Sequence, residues 1–179
     1  MATITLRGTV KKGCGWATRH GNWQRMLVAH KDELPDIEDY VEGTFNIHLT
    51  DPPEWRPPDD EQLRLAARKR GHRVGGDKNI PAGGDFLLCG NYVHPRLKVI
   101  ALNGRAVEGR IYYAGIKPAE WPWGDFRLPQ PTPRRRVEVL SKVNLRRLLG
   151  LLDEDKKYDV SVTIEIGEVS GKRRQGGTP

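Results

Sequence analysis

Cysteine is nearly absent: the 179 residues hold only Cys14 and Cys89, and neither sits in a CxxC pair. That excludes a zinc-ribbon signature and a disulfide framework, so a reducing, cytoplasmic setting is expected. Aromatic residues reach 7% and hydrophobic residues 37%, the latter below the usual share for a globular domain. A modest core with much loop is expected, and 13 prolines and 20 glycines agree with many turns. No run of 18 apolar residues occurs, which excludes a membrane-spanning helix. The opening "MATITLRGTV" alternates like a strand and lacks the apolar centre of a secretory leader. No repeat at a solenoid period is visible.

Positive charge, by contrast, is plentiful. The net charge is +7, from 30 Lys and Arg against 23 Asp and Glu. Such an excess favours an anionic partner, either a phosphorylated small molecule or nucleic acid. The excess concentrates in "ARKRGHR" (67–73), "PRRR" (133–136) and "SGKRRQGGTP" (170–179). No basic helix face with interleaved aromatics is present, so nucleic acid is the less favoured partner. The tail 168–179 has the composition of a disordered basic segment.

Periodicity predicts strands over 3–13, 22–31, 44–50, 85–93, 96–115, 134–141 and 158–166. The pair Asn103-Gly104 marks a hairpin turn inside the longest of these. Asp59 or Asp60 is placed to cap a helix over 60–70, and a second short helix is expected over 142–151. The stretch 32–42, interrupted by Pro35, reads as a short loop or helix. The fold class is mainly β: one small barrel domain, residues 1–167, with short helices and long insertions at about 51–84 and 116–133.

Two stretches carry possible chemistry. In "RGTVKKGCGWAT" (7–18), a strand delivers the chain into Gly13-Cys14-Gly15-Trp16-Ala17 beside Lys11 and Lys12. Glycines allow successive backbone N–H groups to converge on an anion. The loop lacks the GxxxxGK(S/T) pattern, and no helix pattern follows it, so it is neither a P-loop nor a Rossmann turn. An ordinary turn between strands is the alternative. In "YVEGTFNIHL" (40–49), Phe45, Ile47 and Leu49 alternate with Asn46 and His48. Thr44 and Asn46 therefore share one face and offer the hard oxygen ligands that Mg²⁺ accepts. The alternative is a polar pair facing solvent.

The order of these motifs resembles that of the CTP-dependent riboflavin kinase family, a family of cradle-loop barrels. "GCGWA" corresponds to that family's GxGxG-like loop, with Ala17 for the last glycine. "GTFN" corresponds to GTLN, with Phe45 for Leu. Glu138, "VNLR" (143–146) and "LGLLDEDKKYDV" correspond to the closing segment, with Glu154 at a family glycine. The resemblance covers about residues 4–50 and 96–165 and implies a six-stranded barrel that moves a phosphoryl group from CTP to riboflavin or a related alcohol.

It implies the following roles. Gly13, Cys14, Gly15, Trp16, Ala17 and Thr18 bind the nucleotide, together with Val143, Asn144, Leu145 and Arg146. Thr44 and Asn46 hold Mg²⁺, and Glu138 contacts the flavin. Read without the resemblance, "NLRRLLGL" is an amphipathic helix capped by Asn144 and Glu138 is a surface strand residue. The family carries a Thr and a His eight residues before that Glu; here the position is Gln130, with Thr132 out of register. Trp121 and Trp123 in the second insertion either stack on a planar ligand or pack on the barrel. No residue is assigned as general base. The alternative function is a non-catalytic nucleotide- or flavin-binding barrel, or one that binds nucleic acid.

Overall fold

In the computed structural model the described residues are 1–12, 22–70, 73–74, 86–87, 91–113, 135–151, 153 and 156–168. The loop 13–18, the insertion 116–133 with its two tryptophans, and the tail 169–179 lie outside them.

Strands β1 (Ala2–Lys11), β2 (Phe45–Asp51), β5 (Tyr92–Leu102), β6 (Arg105–Tyr113), β7 (Arg136–Ser141) and β8 (Tyr158–Ile166) form a closed barrel. Around the wall the order is β1-β2-β7-β6-β5-β8, and every neighbouring pair is antiparallel. Two-residue strands β3 (Arg73–Val74) and β4 (Phe86–Leu87) pair separately. Helices α1 (Asn22–His30), α2 (Asp60–Arg70) and α3 (Leu145–Leu148) and a 3₁₀ turn, Ile37–Asp39, complete the described elements. None of the described helices is long and apolar enough to cross a membrane.

The mainly β, six-stranded barrel expected from sequence is thus borne out. Its interior is built by period-2 alternation: Leu6 and Val10, Phe45, Ile47 and Leu49, Val137 and Val139, and Val160, Val162 and Ile164 meet in one core. The Asn103-Gly104 turn joins β5 to β6 with both residues at positive φ, 48° and 73°, as a two-residue hairpin of this twist requires. The Asn103 side chain also accepts a 2.8 Å hydrogen bond from the Ser161 backbone N–H, which ties the hairpin to β8.

One element differs in kind. Residues 22–31, expected as a strand, form helix α1. Trp23, Met26, Leu27 and His30 recur at helical spacing and turn inward, whereas Val28, which strand alternation buries, is exposed. The helix packs with Ile37, Tyr40, Val93, Tyr112 and Leu140 in a second apolar cluster. Val93, Tyr112 and Leu140 belong to strands of the barrel, so the barrel wall has apolar contacts on its outside too. Smaller differences concern ends. The strand expected over 85–93 resolves into β4 and the start of β5, and the helix expected over 142–151 shortens to a single capped turn.

Helix α2 falls at 60–70 as expected, inside the first insertion. Leu63, Ala67 and Trp55 pack against the barrel core. Asp60 accepts from Tyr92 Oη and pairs with Arg64 at 3.0 Å, and the Arg64 guanidinium lies 5.7 Å over the Tyr113 ring.

Two predictions follow from the packing. A Cβ on Gly8 would stand 2.3 Å from the His48 carbonyl oxygen, at a register shift of the β1–β2 pair. Gly8→Ala should therefore cost about 3 kcal/mol, measured by urea unfolding; a loss under about 0.5 kcal/mol would show that the strands separate freely there. His94 is buried; one ring nitrogen contacts the Pro58 carbonyl at 2.9 Å and the other accepts from the Arg96 N–H at 3.2 Å. That arrangement suits the neutral ring, and burial lowers its pKa. The native state then binds fewer protons than the unfolded chain, so stability falls as pH drops below about 6.5, until pH passes the folded value. His94→Gln should flatten that part of the stability–pH curve.

Candidate functional site

The faces of β2 and β7 that turn away from the core carry the polar residues. Register aligns them in two rows. Lys11, Asn46, Glu138 and Tyr112 pair in sequence across β1, β2, β7 and β6. One step along, Thr9, His48 and Arg136 pair across β1, β2 and β7. Same-face neighbours on adjacent strands bring side chains within reach of each other.

Thr44 enters this surface from the turn before β2, where Gly43 takes φ 93°, a conformation open to glycine at little cost. The Asn46 amide donates to the Thr44 carbonyl at 2.9 Å and to its hydroxyl at 3.2 Å. The Thr44 hydroxyl donates to Glu138 Oε2 at 3.2 Å, and Glu138 Oε1 pairs with Arg136 at 2.9 Å. Asn46 is 5% exposed and Glu138 6%. Neither is the solvent-facing strand residue that the plainer sequence reading expected. The Asn46 donor end is satisfied by Thr44, which leaves its carbonyl oxygen without a partner among the described residues.

The structure therefore joins Thr44, Asn46 and Glu138, residues expected in different roles, into one hydrogen-bonded cluster. Among the described residues no three His, Cys, Asp or Glu side chains gather as a metal site. The cluster instead offers one carboxylate with hydroxyl and amide oxygens, a donor set suited to a hard cation such as Mg²⁺ and unsuited to zinc.

Tyr112 lies beneath, fully enclosed. Burial pushes its phenol pKa up, with the Glu138 and Glu33 charges adding to the effect. Asn91 donates to its oxygen at 2.9 Å, and the His30 ring stands edge-on at 5.6 Å. His30 Nδ1 in turn meets Glu33 Oε2 at 2.8 Å, and the Val93 N–H of β5 donates to the same oxygen at 3.5 Å, so the end of α1 is tied to the wall.

The segment 143–146 continues from the end of β7. Val143 is about half exposed, and the Asn144 side chain accepts from the Arg147 N–H at 3.0 Å as the cap of α3. Leu145 is buried in the barrel core, so a ligand there would meet its backbone. Arg146 Nη1 is buried with no hydrogen-bond partner among the described residues. The Val41 N–H donates to the Ser141 carbonyl at 2.8 Å, which draws the stretch before Thr44 alongside the stretch before Val143.

The nucleotide loop Gly13–Thr18 lies outside the described residues. Its point of departure does not: the register partner of Asn46 is Lys11, the last residue of β1. The sequence reading missed His48, Arg136 and Tyr112. Arg136 and Glu138 are two apart on one strand, a legible hint, but only the β2–β7 register shows what they face. Comparison with family models and with curated proteins returned no match.

Breaking the Glu138–Arg136 pair should be costly because both groups are largely removed from water. Glu138→Gln is expected to lose about 3 kcal/mol. A double-mutant cycle with Arg136→Gln should show a coupling of about 1–2 kcal/mol; additive losses would mean that the pair contributes only as two independent side chains.

Proposed function

We propose that this chain is a CTP-dependent riboflavin kinase-like phosphotransferase of the cradle-loop barrel type, with Mg²⁺ as its cofactor. The observation that carries the reading is the Thr44–Asn46–Glu138 cluster, buried on the barrel wall beside the strand end that leads into the glycine-rich loop. Phosphoryl transfer asks a protein mainly for positioning and charge neutralisation. The available groups suit that demand. Residues 13–18 would supply backbone amides to the phosphates. The Asn46 carbonyl and the Thr44 oxygens would hold the divalent ion, which when bound neutralises phosphate charge. Glu138 offers carboxylate oxygens to a hydroxyl or N–H of the acceptor. Val143 and Arg146 stand at the neighbouring segment to receive the cytosine base.

The test is a thermal-shift series. CTP with Mg²⁺ at ~100 times its dissociation constant should stabilise the fold by about 2.7 kcal/mol, more than ATP with Mg²⁺ at the same concentration. Riboflavin should add a further shift. Asn46→Leu removes the donor to the Thr44 carbonyl and should cost about 1–2 kcal/mol. The variant should still fold while Mg²⁺-dependent nucleotide affinity drops at least ~10-fold, about 1.4 kcal/mol. Parent-like binding by this variant would sink the metal assignment. No response to any nucleotide would sink the kinase reading with it.

A further inference from the structure

The second row of the outer wall is not used by the function proposed above. It contains the described end of the "PRRR" stretch, whose surplus charge the kinase reading leaves unexplained. His48 lies half-buried between Thr9 and Arg136 in register, with Lys11 diagonal to it on β1. Exposed Arg135 adjoins this row, and its carbonyl accepts from the Leu49 N–H at 2.7 Å.

We propose that Lys11, His48 and Arg136, with Arg135 at the edge, form a binding site for a phosphate monoester dianion. Three cations surround the imidazole. The one carboxylate joined to them by a salt bridge among the described residues is Glu138, on Arg136. Lys11 and Arg135 have no such bridge among the described residues. Asp159, the register partner of Thr9 on β8, lies two strands from His48 and marks the limit of the patch.

The donors differ in kind: an ammonium, an imidazole N–H and a planar guanidinium. Together they suit an anion with several oxygens, and the guanidinium fork suits phosphate in particular. Arg136 Nε is buried with no partner among the described residues, so this guanidinium is only partly paired. A phosphodiester chain is the poorer occupant, because Tyr112, the one Phe, Tyr or Trp in either row, is buried and offers no stacking platform.

The site requires neither nucleotide nor metal and so stands apart from the kinase reading. The experiment is an NMR titration of the full chain, labelled at histidine, with inorganic phosphate and with phenyl phosphate. Ionic strength is held constant with chloride, and no nucleotide or divalent ion is present. Both phosphates should move the His48 ring resonances saturably. Lys11→Gln combined with Arg135→Gln removes two exposed charges outside the core and should weaken phosphate at least ~10-fold. Lys98→Gln, at the register partner of Glu165 on the β5–β8 side, should leave it unchanged. A response that chloride reproduces, or an equal loss in Lys98→Gln, overturns the site in favour of plain charge screening. Occupancy by dimethyl phosphate or a duplex oligonucleotide but not by the monoesters overturns it in favour of a diester partner.

Discussion

The pairing of β2 with β7 is the constraint on which the rest of this molecule depends. Both strands have side chains of opposite character on their two faces, and closure of the barrel forces one face of each inward. Phe45 and Ile47 of β2 meet Val139 and Val137 of β7 in the interior. The same register then necessarily sets Asn46 opposite Glu138 and His48 opposite Arg136 on the outside. A slip of one residue would exchange the faces. It would drive a carboxylate and a guanidinium into a core that, among the described residues, is built from aliphatic and aromatic side chains. Apolar burial therefore fixes polar geometry here, and the strands need no separate device to align the cluster.

A barrel with one apolar surface would leave Asn46 and Glu138 in water. Here α1 and the turn Ile37–Asp39 add an outer layer, and Tyr112 and Leu140 extend the apolar contacts to the outside of the wall. The consequence for chemistry is a lower local dielectric around Glu138 and Asn46. Hydrogen bonds and charge pairs there are stronger than at an open surface, and unpaired polar groups cost more. The ordering of Thr44, Asn46, Glu138 and Arg136 into a single chain of contacts is what such an environment demands.

Much of the barrel was legible because strand alternation is a local property. The runs at 44–50, 134–141 and 158–166, the Asn103-Gly104 turn and the helix at 60–70 all fall where period and turn chemistry place them. Helix α1 was missed because "NWQRMLVAHK" mixes a helical spacing of Trp23, Met26, Leu27 and His30 with a short apolar run that also suits a strand. Only the existence of an apolar outer wall decides between them. For the candidate site, Thr44 and Asn46 were recognisable as one face of one strand. Their contact with Glu138, 94 residues away in sequence, is a matter of register, which no local pattern encodes. What His48 and Arg136 face was hidden for the same reason.

Register also ties the two outer rows together electrically. Arg136 belongs to the row of His48 by its position on β7, yet its guanidinium reaches back to Glu138 in the row of Asn46. Glu138 in turn accepts from Thr44. A cation held at the Asn46 and Thr44 oxygens, as proposed above, would compete with Arg136 for the Glu138 carboxylate. An anion over His48 would compete with Glu138 for the Arg136 guanidinium. Each ligand would thus loosen the internal pair that opposes the other, and attraction between the two bound charges would act in the same direction. By linkage the effect must be reciprocal: whatever gain a divalent ion gives the anion, the anion returns to the ion. On that proposal the salt bridge between Arg136 and Glu138 would stand in for both ligands, holding the wall ordered in their absence.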